Sequence, residues 1–570
     1  MFSVKWQTSK REYGIIHERD VTIPVSAGFN IDCDILRPDA PGRRFPVILC
    51  MSPYAKSDLI KPLMPVAMCP ERAHIEAGDY NFYVRRGYVQ VFANVRGTGR
   101  SGGLFDHLDD GMVQDMYDVI EWLARQPWCD GQVATFGASY FAMMAKRVAT
   151  LKPPSLKTIF APFGTSDQYR QAMCRGGILN ADFLMFWIHT LDNVRIKNDL
   201  REKFGEAGLR ARIEAALADP EISQHPGLVE CLHHPDEGRN PFIVKCVLNY
   251  LDNEYYRERS VDFSKGPEVP AYFGGCWGMY SLHLPGDVQS FENWKGPKKL
   301  TIGPPYYLDR PVYQYQYESL RWFDYWLKGV DTGIMDEPPI HLFIMNTGEW
   351  KEAYEWPLPE AKWTEFFLHE NGLLSEHEIW PHETCSSFNY NYLPDDRGSL
   401  TFVTPRLVEN TEVCGPLVLN FYASTTDTEV LWFVDFFEVD ETGKEHVLCR
   451  GWLRGSQRRL DPEKSRPWWP YHLHTKREPL TPGEVYEFNI PLGPVGVLFR
   501  AGMRFGVRIK CSDRGEKARD FLDQHALGNL SREVPAKITV YHSNEYPSHL
   551  LVPITRGNRV GTFMSGGQLR

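Results

Sequence analysis

Residues 133–145 read VATFGASYFAMMA, from Val133 to Ala145. A short apolar strand runs into a tight turn around Ser139, and a helix follows. That order presents a serine hydroxyl on the edge of an α/β sheet. A serine hydroxyl is protonated at neutral pH and is a poor nucleophile without an adjacent base. The stretch therefore predicts an α/β core and raises the question of where the base and its acid lie.

The flanking sequence predicts the rest of that core. DVTIPVSAGFNIDCDILRP (20–38) alternates like two paired strands joined at a glycine turn, and FPVILCMSPYAK (45–56) is a continuous apolar strand ending in a polar loop. GYVQVFANVRGTGRSGG (87–103) is a second buried strand entering a glycine-rich loop. GMVQDMYDVIEWLARQPW (111–128) places Met112, Met116, Ile120 and Leu123 on one helical face. Strands alternating with helices imply a parallel sheet with crossover helices. From 164 to 260 the pattern turns helical and charged, as in RIKNDLREKFGEAGLRARIEAALADPE (195–221), whose charges read as a solvated face. Short apolar strands resume in VPAYFGGCW (269–277) and KKLTIGPPYY (298–307), followed by the amphipathic YESLRWFDYWLKGV (317–330). Past Pro357 the strand-like runs LVLNFYASTTDTEVLWFVDFFEV, GEVYEFNIPLG, MRFGVRIKC and AKITVYHS predict an all-β sandwich. The expected divisions are a core over 1–163, a helical insertion over 164–260, the rest of the core over 261–357 and a β-sandwich over 358–570.

Bulk properties exclude several functions. With 570 residues the chain is too long for one core, so several domains are expected. A net charge of −10 argues against nucleic acid as a partner. No window is apolar and long enough to span a membrane, and MFSVKWQTSKREYGII (1–16) lacks the apolar core of a signal peptide, so a cytoplasmic location is expected. The 12 cysteines form no C-x-x-C pair or zinc-spaced cluster, and there is no P-loop or G-x-G-x-x-G, so neither metal nor cofactor is expected. The sequence leaves a monomer and a homodimer both open.

Taken together, SPYAK, VRGTGRSGG, WCDGQVATFGASYFAMMA, LRWFDYWLKGVDTGIMDEPPIHLFI and the terminal β-rich region resemble the cocaine-esterase and X-Pro dipeptidyl-peptidase (CocE/NonD) family. They span almost the whole chain in the family's order. The resemblance implies an α/β-hydrolase core, an inserted helical cap and a C-terminal jelly roll of galactose-binding type. It also implies that Ser139 is the nucleophile of a G-x-S-Y-x-G elbow, here ending in Ala142. The implied oxyanion hole is the hydroxyl of Tyr54, from a P-Y-x-K loop, with the backbone N–H of Tyr140. Two donors aimed at one point stabilise charge developing on a carbonyl oxygen.

The same resemblance exposes two departures. The family's triad acid, in G-W-x-D, falls on Met279 when Trp277 is the anchor, and its histidine, in G-P-W-x-H, falls on Tyr307. A third difference is Asn94, where the family usually has Asp. Methionine accepts no proton, and a tyrosine with a pKa near about 10 is a better donor than base. His283 is the leading candidate for a relocated base, placed to share Met279's side of a helix; Cys276, Asp309 and His74 follow. The reading is an enzyme acting on a carbonyl- or ester-bearing small molecule through its oxyanion hole, with Ser139, Tyr54, Tyr140 and Tyr307 at the site. Without a relay the expected reactions are cyclisation, isomerisation or C–C bond formation or cleavage, and reuse of the fold suggests a specialised metabolite. The alternatives are a serine ester or amide hydrolase with a relocated base, and a catalytically inactive binding protein.

Overall fold

The computed structural model describes residues 7–54, 56, 73–74, 76–305, 315–378, 380–390, 398–512 and 535–558. A 10-stranded sheet organises the first two thirds of the chain. Its strands are β1 (Gly14–Pro24), β2 (Asn30–Asp39), β3 (Phe45–Ser52), β4 (Val89–Asn94), β5 (Cys129–Phe136), β6 (Leu156–Phe160), β7 (Ala271–Cys276), β8 (Lys298–Gly303), β9 (Ile340–Ile344) and β10 (Glu349–Ala353). Their spatial order is β1-β2-β4-β3-β5-β6-β7-β8-β9-β10. Neighbours from β4 through β9 run parallel, with antiparallel β1–β2 and β9–β10 at the edges. Every residue of β3 and of β4 is buried, as expected of central strands covered on both faces.

The covering helices follow from the apolar periodicity. Helix α1 (Asp110–Ala124) buries Met112, Met116, Ile120 and Leu123, and the Asp109 side chain caps it by accepting from Met112 N–H. Its buried Asp115 is not an unpaired charge, because the Arg96 guanidinium meets it at 2.6 Å. Helix α2 (Tyr140–Ala149) leaves the elbow directly. Between β6 and β7 the chain forms mostly helices, including α3 (Ala181–His189), α4 (Leu200–Leu217) and α5 (Asn240–Leu248). In α4 only Leu200 and Leu209 are buried, so its charges are solvated. Helix α6 (Leu284–Asn293) precedes β8, and α7 (Gln316–Lys328) ends at Gly329 in the left-handed region, φ 66°.

The C-terminal region is strand-rich and forms an 11-stranded, largely antiparallel sheet. It is joined to the core near the strand ends that carry the site. Met345 N–H donates to Gly496 O, and Trp277 of the core lies so close to Gly496 that a Cβ there would come within 2.4 Å of the indole. The helical segment touches the same sheet where Arg454 N–H donates to Gly176 O. No helix among the described residues is long and apolar enough to cross a membrane.

Candidate active site

The elbow is a strained turn with a visible cause. Ser139 sits at φ 58°, ψ −120°, between the end of β5 and the first residue of α2. Gly137 has φ +140°, and a Cβ on it would come within 2.5 Å of Phe141 Cβ, so the position needs glycine. Three carbonyls hold the turn: Phe160 O accepts from Gly137 N–H, Glu76 O from Ala138 N–H and Phe163 O from Ser139 N–H. Tyr140 is the first residue of α2, so the helix supplies no acceptor for its N–H. Ala142, in place of the motif's last glycine, fits because residue 164 is itself glycine; a Cβ there would lie 2.8 Å from that of Ala142.

Tyr54 lies beyond β3 and is fixed from several sides. Its N–H donates to Ser52 Oγ at 3.2 Å, and Asn94 Nδ2 donates to its carbonyl at 2.8 Å. Lys56 in the same loop reaches Asp20, Asp32 and Asp34 at 2.8, 3.1 and 2.6 Å. The Tyr54 hydroxyl is hydrogen-bonded to Ser139 and accepts from Trp187 Nε1–H of α3 at 3.3 Å. Burial raises its pKa far above the usual phenol value, with the Glu76 carboxylate adding to the effect, so the group stays protonated and available as a donor. Asn94 is thus not a weakened aspartate: its amide hydrogen faces a carbonyl that a carboxylate would repel.

An aromatic cage adjoins these donors. Trp187 stacks on Tyr140 with centroids 5.9 Å apart and planes at 6°, and His107 meets both rings edge-on at 5.5 and 5.1 Å. Burial pushes the His107 pKa down to about 4, so the imidazole is neutral, and its Nε2 faces Gln168 Oε1 at 3.3 Å. Sequence reading missed Trp187 and His107. The aromatic run ADFLMFWIH signals a buried helix but not which ring reaches across to Tyr54.

The other half of the site is different. Met279 lies in the turn Trp277–Met279 directly after β7 and is 1% exposed. Residues 277–283 are WGMYSLH, without a carboxylate. β7 and β8 end in register, Cys276 beside Gly303, and a Cβ on Gly278 would lie 2.7 Å from Pro305 O, so the two loops leave the sheet side by side. Tyr307 and Asp309 lie outside the described residues, as does the side chain of His74. His283 does not share a helix face with Met279, because it is the N-cap of α6 while Met279 ends a separate turn. It is buried, with its ring 6.3 Å from that of Phe163, whose carbonyl holds Ser139 N–H. Burial, then the Lys146 and Arg175 cations, push its pKa down to about 3. Among the described residues no group of His, Cys, Asp and Glu is arranged to hold a metal ion.

Comparison with known proteins identifies the fold and its relatives. Residues 27–306 match the family model of the X-Pro dipeptidyl-peptidase (S15 family), and residues 332–551 match that of the X-Pro dipeptidyl-peptidase C-terminal non-catalytic domain. The chain carries an S15-family peptidase domain followed by the C-terminal domain of X-Pro dipeptidyl-peptidases. A putative serine esterase of Mycobacterium bovis is 26% identical over 82% of this chain and 86% of that protein. Cocaine esterase of a Rhodococcus species is 23% identical over 94% of this chain and 98% of that protein. A CocE/NonD family hydrolase of Staphylococcus aureus superposes with a TM-score of 0.78 at 24% identity, covering 95% of this chain and 94% of that one. An α-amino acid ester hydrolase gives a TM-score of 0.73 at 19% identity, covering 95% and 96%. The protein is therefore an enzyme of the serine esterase and peptidase family, with the α/β-hydrolase fold. The S15 match includes Met279 and ends one residue before Tyr307.

Proposed function

We propose that the enzyme binds a carbonyl- or ester-bearing small molecule beneath the helical segment 164–260. The carbonyl oxygen is directed at the Tyr54 hydroxyl and Tyr140 N–H, and the substrate is converted without a Ser–His–Asp relay. The observation carrying this reading is the loop after β7, where Met279 is buried and residues 277–283 hold no carboxylate. Removing the base of such a relay costs on the order of a millionfold in turnover, while oxyanion hole and binding alone retain about 10³–10⁴ over water. Groups that stabilise an oxyanion serve equally for an enolate, a lactone oxygen or a polarised dienophile. The proposed reactions are accordingly cyclisation, isomerisation or C–C bond formation or cleavage, on a specialised metabolite. Tyr54 donates to the oxygen, Trp187 N–H polarises Tyr54, and the cage of Trp187, Tyr140 and His107 excludes water around the reacting group.

The second reading is ester or amide hydrolysis with a relocated base. Similarity to serine esterases and to the S15 peptidases favours it, as does His283 beside Phe163, the residue that holds the serine's amide. A binding protein without catalysis is disfavoured by the strain kept at Ser139 (φ 58°), which a binder does not need. Labelling with a fluorophosphonate, followed by mass spectrometry, separates the two enzymatic readings. Slow or absent modification of Ser139 is expected; rapid stoichiometric labelling, abolished by Ser139→Ala, establishes the hydrolytic one.

A further inference from the structure

Behind the elbow lies a buried ion pair that the site chemistry does not use. Lys146 stands about two turns along α2 from Ser139. Its Nζ is 2.8 Å from Asp287 Oδ1 of α6, and neither side chain has any solvent exposure. The peptide of Gly164 is clamped between them: Lys146 Nζ donates to Gly164 O at 2.6 Å, and Gly164 N–H donates to Asp287 Oδ1 at 3.1 Å. Gly164 follows Phe163, a non-glycine residue in the left-handed region at φ 56°, and Phe163 O accepts from Ser139 N–H at 2.9 Å. The fit has no slack. A Cβ on Gly286 of α6 would lie 2.6 Å from Gly164 O, and one on Gly164 would lie 2.8 Å from Ala142 Cβ of α2.

A buried ion pair is a poor way to gain stability, since well-packed apolar residues often do as well or better. It is a good way to fix one peptide, because the cation takes the carbonyl and the anion takes the amide. We propose that Lys146 and Asp287 are positioning residues: through the Gly164 peptide and the Phe163 carbonyl they set the turn at Ser139, and with it the direction of the Tyr140 N–H. The inference rests on Ser139, Tyr54 and Tyr140 being the reacting site. It also gives a pH dependence. Burial raises the Asp287 carboxyl well above the usual carboxylate range and lowers the Lys146 ammonium, so acidification neutralises the carboxylate and weakens its hold on the ammonium and on Gly164 N–H. The groups facing the pair are His283 on Asp287's own helix, held neutral by burial, with Arg175 beyond it; the Tyr315 hydroxyl ahead of α7, held protonated by burial; and the Phe273 ring of β7, 5.3 Å from Lys146 Nζ.

The test is the neutral double variant Lys146→Met with Asp287→Asn, in which the introduced side-chain amide still offers its carbonyl oxygen to Gly164 N–H. The melting temperature, amide hydrogen exchange across the sequence, and kcat and KM of the residual 4-nitrophenyl acetate turnover that oxyanion hole and binding alone sustain are measured, as a function of pH, against the unmodified enzyme. The expected result is a cooperative melt close to that of the unmodified enzyme. Exchange is faster in segments 137–145 and 160–166 alone. The kcat falls by about 10- to 100-fold with KM unchanged, the usual effect of a small misplacement at a reacting centre. The loss of kcat on acidification that the Asp287 carboxyl contributes disappears. Unchanged exchange and unchanged kcat in a folded double variant overturn the proposal. Should that variant not fold, Asp287→Glu, which keeps the charge but displaces the carboxylate by one methylene, must show the same exchange pattern and a smaller kcat loss; identity with the unmodified enzyme overturns it equally. Failure of the site reading is distinct: ester turnover then survives both Ser139→Ala and Tyr54→Phe, and the exchange pattern alone decides the role of the pair.

Discussion

The two halves of the site, both at the ends of parallel strands, have been treated very differently. Around β3 and β5 each donor is held redundantly. Tyr54 is bound by Ser52, Asn94 and Trp187, Lys56 by three carboxylates, and the serine turn by the carbonyls of Phe160, Glu76 and Phe163. After β7 the position where the family resemblance places a carboxylate is held by Met279, buried in the turn that follows the strand. On the proposed reading the side that stabilises negative charge is kept, while at the position of the relay acid Met279 is packing. On that reading electrostatic stabilisation and proton relay are separable parts of this fold.

Perturbing each half gives effects that decrease in a definite order. The largest is expected behind the elbow. Asp287→Ala alone strands the Lys146 cation in a fully buried site and costs about 3–5 kcal/mol, read as a fall in melting temperature. Next is Tyr54→Phe, which removes one oxyanion donor and lowers turnover of the true substrate by about 10²–10³ while the melting temperature holds. Equal turnover in that variant would reduce the loop tyrosine to a structural role. A smaller effect belongs to Asn94→Asp, which points a carboxylate at the Tyr54 carbonyl in place of a donor 2.8 Å away. It is expected to destabilise by about 1–3 kcal/mol, seen in denaturant midpoints, and a stabilising change would refute the assigned donor.

The smallest effect is a pH dependence. His107 has its pKa lowered from 6.5 to about 4, so between those values the unfolded chain binds a proton that the folded one refuses. Stability therefore falls as pH drops through that interval, by at most about 1.4 kcal/mol per pH unit from this group. His107→Phe removes that slope from a plot of urea midpoint against pH, and an unchanged slope would mean the imidazole is charged in the folded state.

Sequence reading reached what neighbouring residues determine. The strand, glycine, serine and helix of 133–145 are contiguous, so the elbow was legible, and continuous apolar runs marked β3 and β4 as buried strands. What joins distant segments was not. Lys146 and Asp287 are 141 residues apart, and nothing local to either residue signals that they pair. Trp187 and Tyr54, 133 residues apart, meet only because α3 folds back over the sheet. Asn94 was legible as a departure but not as a function, since residue type does not reveal that the group it faces is an acceptor.

The central claim, an intact oxyanion side beside a vacated relay side, is tested most directly by rebuilding the relay. The double variant Met279→Asp with Tyr307→His restores an acid and a histidine after adjacent strands that end in register. With Asn94 left in place, and the melting temperature near that of the unmodified enzyme, it is expected to gain 4-nitrophenyl acetate hydrolysis that Ser139→Ala abolishes, well above either single variant. A folded double variant with no more esterase activity than the parent would contradict the account and turn the search for a base to His283.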